Sequence, residues 1–309
     1  MIEQFSFIFA IIFFIMALYI IANPNAGNHK AADVVSRIEK EYPEFEVKAY
    51  YTECIDDEKN QVSLILEHFQ EKNDQLLIIG GDGTLAKVAF YFPKNLPIAY
   101  YAVGSGNDFA HSLQMSDLDT ILEAIKQKRV ETIYVYRHET GLLINSLDTG
   151  FASWVIYQSS ISKLKRLFNH LHIGKLIYLL FGILGIFFAP TTSVIITKNQ
   201  KEKKQFDHLF FCSIANNQYF GGGISIWPEA SVKKPQLDVV LFYNSGLMTK
   251  IKNLLALVFK KQKETTTIIH DSYQDIEITF PEKTRVQIDG EIVTKTKFHL
   301  KQEIRQLYR

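Results

Sequence analysis

The sequence has little cysteine, almost no net charge and no low-complexity linker. Its two cysteines, Cys54 and Cys212, stand in isolation without metal-ligand spacing around them. This excludes a disulfide framework or a cysteine-built zinc site, and leaves free thiols suited to a reducing cytosol. Formal net charge is +1 at pH 7, from 34 Lys and Arg against 33 Asp and Glu. Wholesale attraction to nucleic acid is therefore not a driving force, and any electrostatic work falls to local patches. A positively charged leader is also missing. From Phe5 to Ala22 every residue except Ser6 is apolar or aromatic, yet the only earlier charge is Glu3, which argues against a cleaved secretory signal.

What is present is a large apolar content. With 309 residues, 47% apolar and 22% charged, the chain can bury a sizeable core in one large or two ordinary domains. Ala17 to Ala22 (ALYIIA) is rich in β-formers and leads directly into Asn-Pro, so it reads as a first buried strand. Phe5 to Ile15 is then too short to cross a bilayer alone, which takes about 20 apolar residues. Residues 1–15 are either a membrane-associated extension or a segment preceding a true start at Met16.

From Ala17 strands and helices alternate. Strands are predicted at 17–22, 45–52, 75–80 and 97–103, and helices near 31–41, 58–72, 85–92 and 117–128. Such alternation builds a mostly parallel sheet with helices on both faces. After about Val130 the pattern changes to short β-type runs: TIYVYRH, GLLINSLDTGF, TTSVIITKN, HLFFCSIAN, LDVVLFYN, DIEITF, RVQIDGE and KFHLKQEI. These read as a sandwich or meander, interrupted by helical stretches at 161–188 and 247–263. The predicted fold class is α/β plus β-rich: an N-terminal parallel α/β domain and a second, β-sandwich-type domain.

Three glycine-bearing stretches follow predicted strands: Asn23 to Gly27 (NPNAG), Gly80 to Thr84 (GGDGT) and Gly104 to Asp108 (GSGND). Parallel strands end along one edge, so these loops can converge on one crevice. Glycine lets backbone N–H groups approach an anion, and a helix starting there adds the positive end of its dipole. One such turn means little. Three on one sheet predict phosphate binding.

NPNAG, GGDGTL and GSGNDFA in this order, followed by IANNQYFGGGISIWPEA (214–230), LDVVLF (237–242) and DGE (289–291), resemble the soluble lipid kinases related to bacterial diacylglycerol kinase and sphingosine kinase, in the NAD kinase-like superfamily. The resemblance runs from about Leu18 to the C-terminus. It implies a nucleotide in the cleft between a first domain (16–131, completed by about 297–309) and a second (132–296). It also implies ATP-dependent phosphorylation of the hydroxyl of diacylglycerol or a similar lipid alcohol, with Mg²⁺, by a cytoplasmic protein peripheral to the inner face of the membrane. No nucleic-acid partner is implied, and a homodimer is left open.

Carried over residue by residue, Asn23, Thr52, Gly80, Gly81, Asp82, Gly83, Thr84, Leu85, Ala86, Ser105, Gly106 and Asn107 would line ATP. Asp82 would serve the metal and the γ-phosphate, and Glu291 would be the general base. Phosphoryl transfer needs positioning and charge neutralisation more than covalent chemistry, and a carboxylate beside the acceptor hydroxyl can take its proton. Taken alone, DGE is an ordinary hairpin turn, because Asp-Gly is a strong turn dipeptide.

The chain departs from the family's pattern in places. Ala86-Lys87 stand where the family has Asn-Glu, Val103 where it has Pro, Ser105 where it has Thr, and Tyr134 near a common aspartate. Lys234-Pro235 replace an Asp-Gly that supplies a structural Mg²⁺ carboxylate; an ammonium there disfavours that metal. His172 to Pro190 is the most apolar stretch outside the N-terminus, uncharged from Leu176 to Ala189, with Lys163, Lys165, Arg166, His170, His172 and Lys175 upstream. It is either a helix packed on the sandwich core or an interfacial helix that touches a bilayer and helps form an acyl-chain cleft. Two other functions stay open. An NAD kinase shares GGDGT but has no need of the apolar segment, and a non-catalytic lipid- or nucleotide-binding protein would suit the departures.

Overall fold

The computed structural model describes residues 16–27, 30–104, 106–115, 117–162, 176–198, 202–221 and 223–309. The N-terminal extension, Ser105 and the basic cluster at 163–175 lie outside the described residues. Strands β1 (Met16–Ala22), β2 (Phe45–Tyr51), β3 (Gln75–Gly80) and β4 (Ala99–Ala102) form a parallel sheet in the order β2-β1-β3-β4. β1 and β3 are central and almost wholly buried, which explains why they read as continuous apolar runs rather than alternating ones.

Alternate residues of these strands feed two cores. Tyr19, Ile21, Leu76 and Ile78 pack with α2 (Glu58–Leu66) and α3 (Asp82–Tyr91). Leu18, Ile20, Leu77 and Ile79 pack with α1 (Lys30–Glu41) and α5 (Leu118–Lys126). The helix predicted over 58–72 is shorter, because the chain turns after α2 and Asp74 accepts the Gln70 N–H at 2.7 Å. The helix predicted from Leu85 starts earlier. Gly81 is the N-cap of α3, so Asp82, Gly83 and Thr84 are its first turn rather than a free loop. A short α4 (Asp108–Ser112) follows the third glycine stretch.

The second region is β-rich, as predicted. Its main sheet runs β13 (Ile268–Tyr273), β12 (Leu237–Tyr243), β9 (Glu202–Ala215), β7 (Ser146–Gly150), β14 (Ile276–Ile288), β15 (Glu291–Tyr308), β5 (Val130–His138) and β6 (Gly141–Leu143), with β8 (Thr192–Lys198) pairing both β14 and β9. A small hairpin, β10 (Tyr219–Phe220) and β11 (Ile224–Ser225), stands apart. DIEITF and the RVQI of RVQIDGE fall in one strand, β14, whose register shifts between Thr279 and Thr284. Pro281 lies in that interval, and proline cannot donate to a ladder. GLLINSLDTGF divides into β6 and β7, and Phe151 opens an unforeseen helix, α6 (Phe151–Ile161), after Gly150 at φ +72°. The apolar stretch forms α7 (Leu176–Phe188), and the last helix is α8 (Leu247–Val258).

β15 joins the two regions. It leaves β14, pairs with β5, and ends against the first sheet, where the Ile98 N–H donates to Gln306 O and the Tyr308 N–H to Ile98 O, at 3.0 and 2.8 Å. Arg305, only 1% exposed, fixes this junction. Its guanidinium donates to Phe92 O at 3.0 Å, to Ala89 O, and to Glu303 Oε1 at 2.8 Å. A cation thus satisfies the terminal carbonyls of α3 and opposes the negative end of its dipole. Arg305→Met should destabilise the protein by about 2–4 kcal/mol, since two carbonyls lose their buried donor and Glu303 is left with Arg137 alone, at 2.5 Å. Equilibrium urea unfolding measures this, and a loss below about 1 kcal/mol would show that the junction does not depend on the guanidinium.

Candidate active site

The carboxyl edge of the parallel sheet is tightly laced. The Asn23 N–H donates to Ile79 O, Thr52 N–H to Ala22 O and Val103 N–H to Gly80 O, at 2.9, 3.0 and 2.9 Å. The Asn23 amide also donates to Thr84 Oγ1 at 3.1 Å. Two glycines are required by contact: a Cβ on Gly27 would stand 1.8 Å from Val103 O, and one on Gly104 would stand 2.8 Å from Gly81 Cα. The three glycine stretches therefore meet backbone to backbone, while Gly83 and Gly106 face open space.

This brings Asn23, Thr52, Gly80, Gly81, Asp82, Gly83 and Thr84 together at the N-terminus of α3. Leu85 and Ala86 belong to the same helix, but their side chains are core residues, so only their backbone is available to a ligand. Gly106 and Asn107 line a cavity of about 740 Å³ with Tyr101, His111, Tyr219 and Gly223, within the size range of small-molecule sites. Asn107 sits at φ +55° as the N-cap of α4, and its buried Oδ1 has no hydrogen-bond partner among the described residues.

Asp82 is held on several sides. Oδ1 accepts from Tyr100 Oη at 3.2 Å, and Oδ2 accepts from the Phe109 N–H at 3.3 Å and from Asn145 Nδ2 at 3.0 Å. Burial raises its carboxyl above the usual range, opposed by these three donors. Asn145 lies between β6 and β7, so this bond crosses between the two regions. Asn217 Nδ2 donates to Asn145 Oδ1 at 2.7 Å and to Asp108 O at 3.2 Å, and Asp108 Oδ1 accepts from the Gly223 N–H at 2.8 Å. The stretch IANNQYFGGG is thereby the clamp that binds the second region to α4.

Asp289 sets the position of Asn145. Its carboxylate accepts three backbone N–H bonds, from Ile144 at 2.8 Å, Asn145 at 2.8 Å and Ser146 at 3.0 Å. Burial, working against those three donors, pushes it up to about 7. DGE is a hairpin turn, as its Asp-Gly dipeptide suggests on its own, and Asp289 has a further task in it. Asp289 does adopt a turn conformation, at φ +47°, but its side chain points inward and organises the segment that touches Asp82. Glu291 opens β15 and is exposed, with Oε1 2.8 Å from Lys87 Nζ.

Charge and geometry suit an anion at the N-terminus of α3. Among the described residues no three His, Cys, Asp or Glu side chains cluster to hold a metal by themselves. Mg²⁺ is commonly held by one or two carboxylates plus phosphate oxygens, and Asp82, in the first turn, fits that mode. The segment around Lys234 does not fit a structural cation: Lys234 Nζ donates to Glu229 O at 2.7 Å, and Lys233 pairs with Glu131 at 2.5 Å.

The family model described as diacylglycerol kinase catalytic domain matches residues 17–138, and the one described as YegS C-terminal NAD kinase beta sandwich-like domain matches residues 158–304. The first region thus matches a diacylglycerol kinase catalytic domain and the second a YegS-type C-terminal domain. The chain is 26% identical over 299 residues to the Bacillus subtilis (strain 168) protein named "Putative lipid kinase YtlR", covering 91% of this chain and 95% of that one. It is 23% identical over 284 residues to the "Diacylglycerol kinase" of Staphylococcus saprophyticus, covering 88% of each. The fold is shared with a crystal structure described as a "putative diacylglycerol kinase from Bacillus anthracis str. Sterne", at TM-score 0.71 and 19% identity, over 95% of this chain and 96% of that one.

Tyr100, Asn145, Asn217 and Asp289 were not singled out as site residues from the sequence. The asparagines carried a signal, since each is a polar amide set in an apolar β-type context (LLINSL, CSIANN), and buried polar groups are kept where they have partners. Asp289→Asn should cost about 1–3 kcal/mol, because an amide donor would then face backbone donors in a half-buried site. Thermal and urea unfolding read this directly, and an unchanged stability would show that the carboxylate does not hold the 144–146 backbone.

Proposed function

We propose that the protein is an ATP-dependent lipid kinase that phosphorylates the hydroxyl of diacylglycerol or a similar lipid alcohol at a membrane surface. The observation that carries this reading is the tie from Asp82, at the N-terminus of α3 and beside the glycine cradle, to Asn145 of the second region. A nucleotide phosphate and an acceptor held by opposite regions would meet there. MgATP, held by the backbone of Gly80 to Ala86 with Asn23, Thr52 and Thr84, supplies the phosphoryl group and the divalent charge.

The chain's own residues have distinct tasks. The first-turn N–H groups of α3 and the glycine backbone orient phosphate oxygens. Asp82, fixed by Tyr100, Phe109 and Asn145, offers a carboxylate in one orientation, which suits a metal ligand better than a mobile group. Glu291, on the β14–β15 hairpin, accepts the proton of the acceptor hydroxyl.

The acceptor class rests on the family and on the surface of the second region. α7 packs on α6 through Ile177 and Gly185; a Cβ on Gly185 would meet the Phe151 ring at 2.9 Å. Its other face exposes Leu179, Ile183, Phe187 and Phe188. The neighbouring α8 exposes Leu247, Met248, Leu255 and Val258, and carries Lys250 and Lys252. Among the described residues no helix is long and apolar enough to cross a membrane. Apolar helical faces beside lysines suit docking in the headgroup layer of an anionic bilayer.

Two outcomes follow. Glu291→Gln keeps shape but removes the basic site, so kcat with a short-chain diacylglycerol should fall about 10²–10⁴-fold while ATP affinity is kept. A variant as fast as wild type would remove Glu291 from the mechanism. Replacing Leu179, Ile183, Phe187 and Phe188 together with serine should leave the melting temperature within about 2 °C, since surface changes mostly stay within about 0.5 kcal/mol. The same variant should lose sedimentation with anionic vesicles and phosphorylation of bilayer-embedded substrate. Unfolding, or undiminished vesicle binding, would refute the interfacial role.

A further inference from the structure

Lys87 is one of the chain's departures, and the reading above leaves it without a task. It lies on α3, five residues beyond Asp82, and its ammonium joins three elements from both regions. Nζ is 2.7 Å from Asp56 Oδ1, in the turn between β2 and α2, and 2.8 Å from Glu291 Oε1 on the β14–β15 hairpin. Both carboxylates are largely exposed, at 72% and 64% of their side chains, while Lys87 is 28% exposed.

The turns that present these carboxylates are fixed from below. Asp57 Oδ2 accepts from the Glu53 N–H at 3.0 Å and from Gln61 Nε2 at 2.7 Å, which pins the turn that carries Asp56. The hairpin is pinned by half-buried Asp289 and by the Gly290 N–H, which donates to Gln287 Oε1 at 2.7 Å. What remains free is the Glu291 side chain itself, an exposed rotamer-rich group whose disorder would spread its carboxylate over many positions. Burial works against charge on Lys87, but Asp56 and Glu291 outweigh it and hold the ammonium protonated. Buried Glu58 is a further carboxylate in its field.

We propose that Lys87 is a positioning residue for Glu291: anchored on Asp56, its ammonium holds the base against α3, the helix that carries Asp82. This inference rests on Glu291 being the base. An ion pair this exposed contributes little to stability, so its effect belongs to turnover rather than to folding. Placement errors of about 1 Å can cost about 10²-fold in rate.

The test is a double-mutant cycle on the purified full chain, with MgATP and short-chain diacylglycerol in mixed micelles. Lys87→Met should lower kcat about 10- to 100-fold, with KM for ATP and the melting temperature unchanged. Lys87→Arg should restore most of the rate, and Asp56→Asn should give a smaller loss in the same direction. In a Glu291→Gln background, Lys87→Met should cost nothing further, because the lysine acts through that carboxylate. A full additional loss in that background would assign Lys87 to another task and overturn the proposal, as would wild-type turnover in Lys87→Met. If Glu291→Gln alone is as fast as wild type, the base assignment fails first and the positioning role falls with it. No turnover of any acceptor by the wild-type chain would end the kinase reading and this inference together.

Discussion

The architecture of the site depends on one half-buried carboxylate that is turned inward. Asp289 stands at the tip of a hairpin, where a side chain would ordinarily point to solvent, and instead it gathers the N–H groups of Ile144, Asn145 and Ser146. Desolvation alone would make such a carboxylate costly; three convergent donors offset that cost and fix the 144–146 backbone in one conformation. Asn145 then has both halves of its amide in use, Nδ2 donating to Asp82 and Oδ1 accepting from Asn217. Asp82 connects to Tyr100 and Phe109 of the first region, and Asn217 to Asp108. The β14–β15 hairpin and the N-terminus of α3 are thus coupled through a chain of bonds in which two half-buried carboxylates are joined by the buried Asn145, so displacement at one end is felt at the other.

The parallel sheet provides the complementary half. Its strand ends are stitched so closely that Gly27 and Gly104 leave no room for a side chain, which packs backbone against backbone at the edge where α3 begins. The result is a surface made of N–H groups and a helix dipole, stiff because each turn bonds to the neighbouring strand. A site of this kind binds phosphate through geometry rather than through basic side chains. That agrees with a chain whose net charge is only +1.

The order of strands and helices in the first region was legible because buried parallel strands and amphipathic helices announce themselves over short windows. The ALYIIA and QLLIIG runs needed no partner to be recognised. What was not legible depended on distant contacts. FASWVIYQSSI is apolar around its circumference and gave no period. The strand IIHDSY is half polar because Ser272 and His270 bond to Asp238 across the neighbouring strand. The glycine motifs identified the edge of the sheet, but the residues that orient Asp82 come from 63 positions away in sequence for Asn145, and Asp289 lies 144 positions beyond Asn145. Nothing local distinguishes this Asp-Gly from any hairpin turn; only the three N–H groups that its carboxylate gathers do.

The second region raises a different physical question, how a water-stable protein approaches an acceptor that lives in a bilayer. On the proposed reading the answer is a division of labour between the two faces of α7. One face is committed to α6, where Gly185 lets the helix sit against Phe151 and Trp154. The other is left apolar and uncovered, too short a helix to insert across the membrane but wide enough to rest in its headgroup layer. Such a helix can be strongly apolar without unfolding the protein, because its packing does not depend on the residues it exposes. On the same reading Asp82 and Glu291 face the opposite constraint, since they would have to stay ordered at the surface that receives a lipid headgroup. Fixing Asp82 with buried donors and Glu291 with an ammonium meets that need by two routes, one insulated from the ionic environment of the bilayer and one open to it. Exposed ion pairs are screened by salt and buried hydrogen bonds much less so, so ionic strength should act on the Glu291 side of the site more than on the Asp82 side.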